Sequence, residues 1–383
     1  MKIQLLNKIA QVGLDQLGAG YQVGEDIADP DGILVRSAAM HDMEFGKNLK
    51  AIARAGAGVN NIPIEKCSQE GIVVFNTPGA NANGVKELAI LALLLAARDV
   101  VGGVEWAKTL QAPDVAKQVE KGKSKFAGTE VAGKTLGVIG LGAIGGMLAN
   151  TAVHLGMKVI GCDPFLSVAG AWNLNHHISR AATFDEIFAT ADYITLHVPA
   201  TADTKQMINA ESIAKMKDGV KLINLARADL VNAADLKVAL ESGKVSAYIT
   251  DFPTEEVLEL PHTVAIPHLG ASTEESENNC AVMAAREIDD YLVNGNITNS
   301  VNFPNVSSPR TGAVRICALH ANVPAVLQGI TTPLSEEGIN IDNMTNKSKG
   351  DNAYTLLDLS AKPSEQAIER IEAIEGMIRV RVL

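Results

Sequence analysis

Short apolar runs alternate with helical stretches over most of the chain. Residues 3–6, 32–35, 51–54 and 73–75 have the length and content of buried strands, and their spacing predicts βα units around a parallel sheet. Asn76-Thr77-Pro78-Gly79 is a turn, and a helix follows over 84–98. Its apolar run, 88–97, is the longest in the chain and stops at Arg98 and Asp99. That is too short to span a bilayer, so it reads as a core or interface helix. Residues 111–128 are polar and lysine-rich, an exposed connection. From Lys134 a second series begins, with strands predicted at 135–139, 158–162, 193–197, 221–225, 247–250 and 263–266. Amphipathic segments such as 147–155 and 234–240 lie between them, the rhythm of a doubly wound α/β sheet.

A helix over 274–294 precedes 302–312, a linker rich in Asn, Pro and Ser. The pattern then changes. Strand 314–320, helix 324–337, strands 340–345 and 354–360, helix 364–373 and strand 378–382 give a βαββαβ order, the mark of a ferredoxin-like module.

A length of 383 residues suits two or three domains, and a hydrophobic fraction of 47% supplies more than one core. The net charge of −11 argues against nucleic acid, whose binding needs a basic face. Cys67, Cys162, Cys280 and Cys317 are far apart, with neither a CxxC nor a zinc spacing, and read as reduced thiols of a cytoplasmic protein with no metal. Residues 1–14 lack the apolar core and small-residue cleavage site of a secretory signal. No membrane partner is expected.

Gly140-Leu141-Gly142-Ala143-Ile144-Gly145 follows an apolar strand and opens a helix. Alone, GxGxxG recurs by chance in glycine loops; here the context matches as well. Gly140 allows the tight turn, Gly142 lets backbone approach a pyrophosphate, and Gly145 lets helix and strand pack closely. The helix N-terminus offers N–H groups and partial positive charge to phosphates. Asp163, at the end of the next strand, is placed to accept ribose hydroxyls and to repel a 2′-phosphate, which favours NAD.

Three later segments put polar residues directly after apolar runs, where open α/β sheets bind ligands: Asn224-Leu225-Ala226-Arg227-Ala228, Thr250-Asp251-Phe252-Pro253-Thr254-Glu255-Glu256, and Ile266-Pro267-His268-Leu269-Gly270. Oxidising a secondary alcohol needs a base for the hydroxyl proton, which suits histidine. It needs a cation for a carboxylate, which suits arginine. A carboxylate beside the histidine would stabilise the imidazolium. A lone histidine after a strand is more often structural than catalytic; the ordered set is what singles out His268. His41, His154, His176, His177 and His262 have no such pattern.

The ordered series GxGxxG, Asp163, His197-Val198-Pro199, Asn-Leu-Ala-Arg, Asp-Phe-Pro-Thr-Glu and Pro-His-Leu-Gly resembles the D-2-hydroxy-acid dehydrogenases over about residues 1–305. The resemblance implies that Arg227 binds substrate, that His268 is the acid/base, and that a glutamate pairs with it. Ungapped spacing from Asp251 selects Glu256; the Pro-Thr-Glu string selects Glu255 with a one-residue deletion. Asp251 would contact the nicotinamide side. NAD would be held by Gly140, Gly142, Ala143, Ile144, Gly145, Asp163, His197, Val198, Pro199, Leu225, Ala226, Asp251, His268 and Gly270, with His197 lining the site without doing chemistry. Two positions depart from the family: Ala228 stands where it has glycine, and the Asp-Phe-Pro string lacks a valine.

Arg36-Ser37 and Arg54-Ala55-Gly56-Ala57-Gly58-Val59 resemble the branch of that family that oxidises 3-phospho-D-glycerate. Arg36 and Arg54 would hold a phosphate, and backbone N–H groups at Ala57, Gly58 and Val59 would take a carboxylate, with Ser37 nearby. The last module resembles an ACT domain, with His320, Asn322 and Asn340 as effector contacts and L-serine as the expected effector. Ala325 stands where that loop usually has glycine.

The implied fold class is α/β: two doubly wound Rossmann-like domains and a C-terminal ferredoxin-like βαββαβ ACT domain. Residues 1–95 with 280–305 would form a split substrate domain, 96–279 the NAD-binding domain, and 312–383 the regulatory domain. A homodimer or homotetramer is implied. Alternatives are a dehydrogenase of another D-2-hydroxy acid (lactate, glycerate or hydroxypyruvate), and an NAD(H)-sensing binding protein of the same fold. The sensor would predict a disordered tail in place of a folded module.

Overall fold

The computed structural model describes residues 1–383, which divide into two compact units: Met1–Asn81 with Glu274–Leu383, and Ala82–Thr273. No helix is long and apolar enough to cross a membrane.

The first unit begins with strands β1 (Lys2–Leu5), β2 (Gln22–Gly24), β3 (Gly32–Val35), β4 (Ala51–Arg54) and β5 (Val73–Phe75). They form a parallel sheet in the order β2-β1-β3-β4-β5. Strand β3 is buried throughout, as expected for a sheet covered on both faces. One face packs on Met40, Leu49, Ile62 and Cys67. The other packs on the helix Glu274–Asn294 through Ala281, Ala284, Ile288 and Tyr291.

The second unit holds β6 (Thr135–Ile139), β7 (Lys158–Cys162), β8 (Ser179–Arg180), β9 (Tyr193–Leu196), β10 (Val220–Asn224), β11 (Val245–Thr250) and β12 (Thr263–Ala265). All are parallel, in the order β12-β11-β10-β9-β6-β7-β8. The order reverses at β6, and the glycine-rich loop leaves that strand at the switch point where such sheets bind ligands. The helix Ala82–Ala97 packs on this sheet, with Ala89, Ala92 and Leu93 against Val138, Ile223 and Ile249. The connection 111–128 contains a helix, Val115–Gly122.

The rest of the first unit is an antiparallel sheet of β13 (Val314–Ala321), β14 (Ile341–Lys349), β15 (Asn352–Leu359) and β16 (Met377–Val382), in the order β14-β15-β13-β16. With the helices Val326–Glu336 and Glu365–Glu372 it is the ferredoxin-like arrangement expected of an ACT module. Successive strand residues point to opposite faces. Ile316, Ala318, Leu357 and Leu359 therefore face the two helices. Cys317, Leu319, Tyr354 and Leu356 instead join the core of Ile3, Leu34, Phe75 and Tyr291, so the module and the first sheet share apolar packing.

Polar contacts fasten the same junction. Arg315 and Asp358 are fully buried and paired through two bonds, Nε–Oδ1 at 2.6 Å and Nη2–Oδ2 at 2.8 Å. Arg315 also donates to the carbonyls of Asn294, Ser308 and Pro309. Arg381 donates to those of Tyr291 and Leu292, and the Tyr354 hydroxyl to that of Gly295. The module thus supplies donors to the Leu292 and Asn294 carbonyls in the last turn of the helix Glu274–Asn294, and a second donor to the Tyr291 carbonyl, which also accepts from the Gly295 N–H.

Candidate active site

The cofactor loop is shaped by its glycines. Gly140 has φ +91°, a left-handed conformation, and a Cβ there would strike the His197 carbonyl. A Cβ on Gly145 would strike the Gly140 carbonyl oxygen, while the space over Gly142 is open. The helix Ala143–His154 starts without a side-chain cap, so its first N–H groups are available to an anion. Asp163 ties the loop down: its Oδ2 accepts from the Leu141 N–H and its Oδ1 from the Phe165 N–H, both at 2.9 Å. A cavity of about 710 Å³ adjoins it, lined by Leu141, Pro164, Ala171, Leu174 and Arg180. Arg180 lies on the short β8 and was not foreseen from sequence.

His197 follows β9, with Nε2 3.0 Å from the Thr195 hydroxyl and Nδ1 without a partner. Burial pushes its pKa down to about 4, so the ring is neutral near pH 7. Val198 packs against the same glycine turn. Pro199 is exposed.

The chemistry-bearing residues stand at the carboxyl ends of three adjacent strands. After β10, buried Asn224 folds the chain back on itself. Its Oδ1 accepts from the N–H groups of Ala226 (3.1 Å) and Arg227 (3.4 Å), and its Nδ2 donates to the Arg227 carbonyl at 2.8 Å. Leu225 is buried beneath this turn and Arg227 is presented outward. After β11, Asp251 is only 2% exposed. Its Oδ2 accepts from the Gly270 N–H at 3.3 Å, and its Oδ1 has no partner. Burial pushes its pKa up, opposed by the charges of His268 and Arg227 and by the Gly270 N–H. After β12, His268 has φ +45°, and its N–H donates to the carbonyls of Asp251 (3.0 Å) and Ile266 (2.9 Å). The ring meets Phe252 edge-on, centroids 4.9 Å apart.

Arg227, Asp251, His268 and Gly270 are therefore brought together. The glutamates are not brought to the histidine. Glu255 and Glu256 open the short helix Glu255–Leu258 behind the Thr254 cap, both are exposed, and neither forms an ion pair with His268. Hydrogen bonds from its own N–H and the Thr254 hydroxyl hold the Glu256 carboxyl below the usual range. The carboxylate that feels the His268 charge is Asp251.

In the first unit the predicted anion-binding residues also meet. Asn7 Oδ1 accepts from the N–H groups of Arg36, Ser37 and Ala38 at 2.9, 2.9 and 3.0 Å, fixing the loop after β3. Arg54, at the end of β4, donates through Nε to the Arg36 carbonyl at 2.9 Å and through Nη1 to the Gly58 carbonyl. Asn76 Nδ2 holds the Ala57 carbonyl, and the Val59 carbonyl accepts from Ile62. Asn7 and Asn76 were missed because each acts on a segment whose position only the fold supplies, 29 and 19 residues away, whereas Asn224 acts on the turn that directly follows it.

In the C-terminal module His320 is 3% exposed, with both ring nitrogens engaged, Nε2 at 2.8 Å from the Thr355 hydroxyl and Nδ1 at 2.8 Å from the Ala321 carbonyl. Asn322 and Asn340 are exposed.

The glycine turn, the uncapped helix and the partnerless Asp251 oxygen fit a dinucleotide. Residues 91–270 match the family described as D-isomer specific 2-hydroxyacid dehydrogenase, NAD binding domain. A D-3-phosphoglycerate dehydrogenase of Synechocystis sp. is 35% identical over 80% of this chain and 54% of its own length, so the chain spans about half of that curated relative. The D-3-phosphoglycerate dehydrogenase of Escherichia coli is 31% identical over 100% of this chain and 97% of its own length. Among solved structures, an NAD+-bound 3-phosphoglycerate dehydrogenase of Entamoeba histolytica is 30% identical with a TM-score of 0.60, covering 79% of this chain and 98% of that one. The chain belongs to the D-isomer-specific 2-hydroxyacid dehydrogenase family and carries that family's NAD-binding domain.

Proposed function

We propose that this chain oxidises 3-phospho-D-glycerate to 3-phosphonooxypyruvate, the entry step of serine synthesis. The observation that carries the reading is the convergence of Arg227, Asp251 and His268 at the ends of β10, β11 and β12 beside a dinucleotide loop. The names of the full-length relatives and the arginine pair Arg36 and Arg54 support the phosphorylated substrate. NAD, when bound, supplies the hydride acceptor. Arg227 holds the substrate carboxylate and polarises the carbonyl that forms. His268 takes the hydroxyl proton as hydride leaves the carbon, and Asp251 lowers the cost of the imidazolium. Arg36 and Arg54 take the phosphate. In the same reading the ACT module takes L-serine as effector through Asn322 and Asn340, His320 being a structural residue of β13. The protein works in the cytoplasm as a homodimer or homotetramer.

The test is NADH formation from NAD with 3-phospho-D-glycerate, D-glycerate and D-lactate in parallel, with L-serine added to the active reaction. The expected result is turnover confined to the phosphorylated acid. The His268→Asn variant should lose about three orders of magnitude in kcat. Turnover on D-lactate or D-glycerate alone would move the chain to another substrate.

A further inference from the structure

Arg36 does not stand alone in the first unit. Its Nη2 lies 2.6 Å from Oε1 of Glu277, in the first turn of the helix Glu274–Asn294, and both side chains are 44% exposed. The residues are 241 positions apart, so only the fold makes this pair. The Arg36 backbone has little freedom: Asn7 grips its N–H and Arg54 its carbonyl. What can move is the guanidinium. The buried thiol of Cys280 feels Arg36, Arg54 and Glu277 together, which places two cations and one anion around the same spot.

We propose that Glu277 is a positioning residue for the anion-binding end of the site, holding the Arg36 guanidinium in place of a ligand and surrendering it when a phosphoryl dianion arrives. The inference rests on the reading of Arg36 as a phosphate-binding group. Without a ligand, one carboxylate half-neutralises the two guanidiniums and keeps Arg36 extended from its loop. A half-exposed ion pair is weak, so a dianion can displace it. The displaced carboxylate then stays close to the phosphate as a like charge, and affinity is lower than the two arginines alone would give. Glu277 thereby sets how tightly the site grips a phosphorylated acid, while an acid that places no charge at Arg36 is indifferent to it.

Glu277→Gln keeps the side-chain shape and removes the charge. It should lower the KM for 3-phospho-D-glycerate by about three- to tenfold, with the gain shrinking as salt is raised. The KM for an unphosphorylated acid should move less than twofold. In an Arg36→Met background the same substitution should have no effect, since the group it restrains is gone. Titration calorimetry with inorganic phosphate on the full chain reads the same three- to tenfold gain without turnover. If phosphoglycerate is not a substrate, the functional reading fails and the phosphate titration still decides this one. Weaker phosphate binding in Glu277→Gln, or an equal gain in the Arg36→Met background, overturns the proposal.

Discussion

The two units are built on the same plan, a parallel sheet with polar residues at its carboxyl edge, yet they differ in what covers them. The sheet β6–β12 has a core on each face drawn from its own residues, Ile187 to Leu260 on one side and Val85 to Ile249 on the other. The sheet β1–β5 has one such core. Its second face is finished by the helix Glu274–Asn294 and by β13 and β15, which arrive late in the chain. The residues that resemble hydride-transfer machinery therefore sit on a self-sufficient scaffold. Those that resemble a phosphate cradle sit on one whose core includes the C-terminal module. A module placed so can act on the loops around Arg36 and Arg54 through packing, with no need to touch His268.

The largest effect that tests this contrast comes from Arg315. Its pairing with Asp358 is fully buried, and it bonds three carbonyls of the segment 294–309. Arg315→Met leaves Asp358 buried without its cation, which typically costs about 3–5 kcal/mol. Hydrogen exchange should show amides of β1, β3 and β13 losing protection while those of β6 and β10 keep it. Equal loss in both sheets would mean that the units unfold as one, and the contrast would collapse.

What sequence made legible follows the same division. The strands of both parallel sheets were visible because each is a short apolar run bounded by turn residues. The strands β2 and β8 were not: Gln22–Gly24 and Ser179–Arg180 are sheet-edge segments with no buried residue and no apolar run. Strand β14 was foreseen only to Thr345 and extends to Lys349, because its edge position lets Asn346, Lys347 and Ser348 stand in solvent. The glycine motif could be read because a tight turn is a local demand on backbone conformation. The long-range partners within the first unit were harder. Asn7 reaches 29 residues to Arg36, Glu277 reaches 241, and the docking of Arg315, Tyr354 and Arg381 on the helix Glu274–Asn294 leaves no local pattern.

A smaller effect separates the units by pH. Glu287 lies in the first unit, 7% exposed, with Oε1 accepting from Asn299 Nδ2 at 2.6 Å and Oε2 without a partner. Burial pushes its pKa from 4.5 up to about 8. The folded unit thus binds this proton more tightly than the unfolded chain does. The associated stability is whole below about pH 4.5 and is lost as pH rises through 8. Glu287→Gln should flatten that decline, a difference of a few kcal/mol between pH 5 and pH 9 in denaturant titrations. The connection also reaches the anion loop: the Asn299 carbonyl accepts from Asn76 N–H, and Asn76 holds Ala57. A pH profile that steepens in the second unit instead would assign the titration to other carboxyls.

The smallest effect probes the module itself. Ala325 caps the helix Val326–Glu336 with φ +69° and ψ −6°, a left-handed conformation that penalises any Cβ. The backbone holds a geometry that glycine adopts without penalty, although the residue is alanine. Ala325→Gly relieves the Cβ clash at the cost of a more flexible unfolded chain, for a net gain of about 1 kcal/mol. Since β13 and β15 complete the core of the first sheet, that gain should appear in the unfolding of the first unit as a whole and be absent from the second. A gain confined to amides of the module, with β1 and β3 unchanged, would show that the shared packing does not transmit stability. The C-terminal sheet would then be an appendage that shares a surface with the first unit without supporting it.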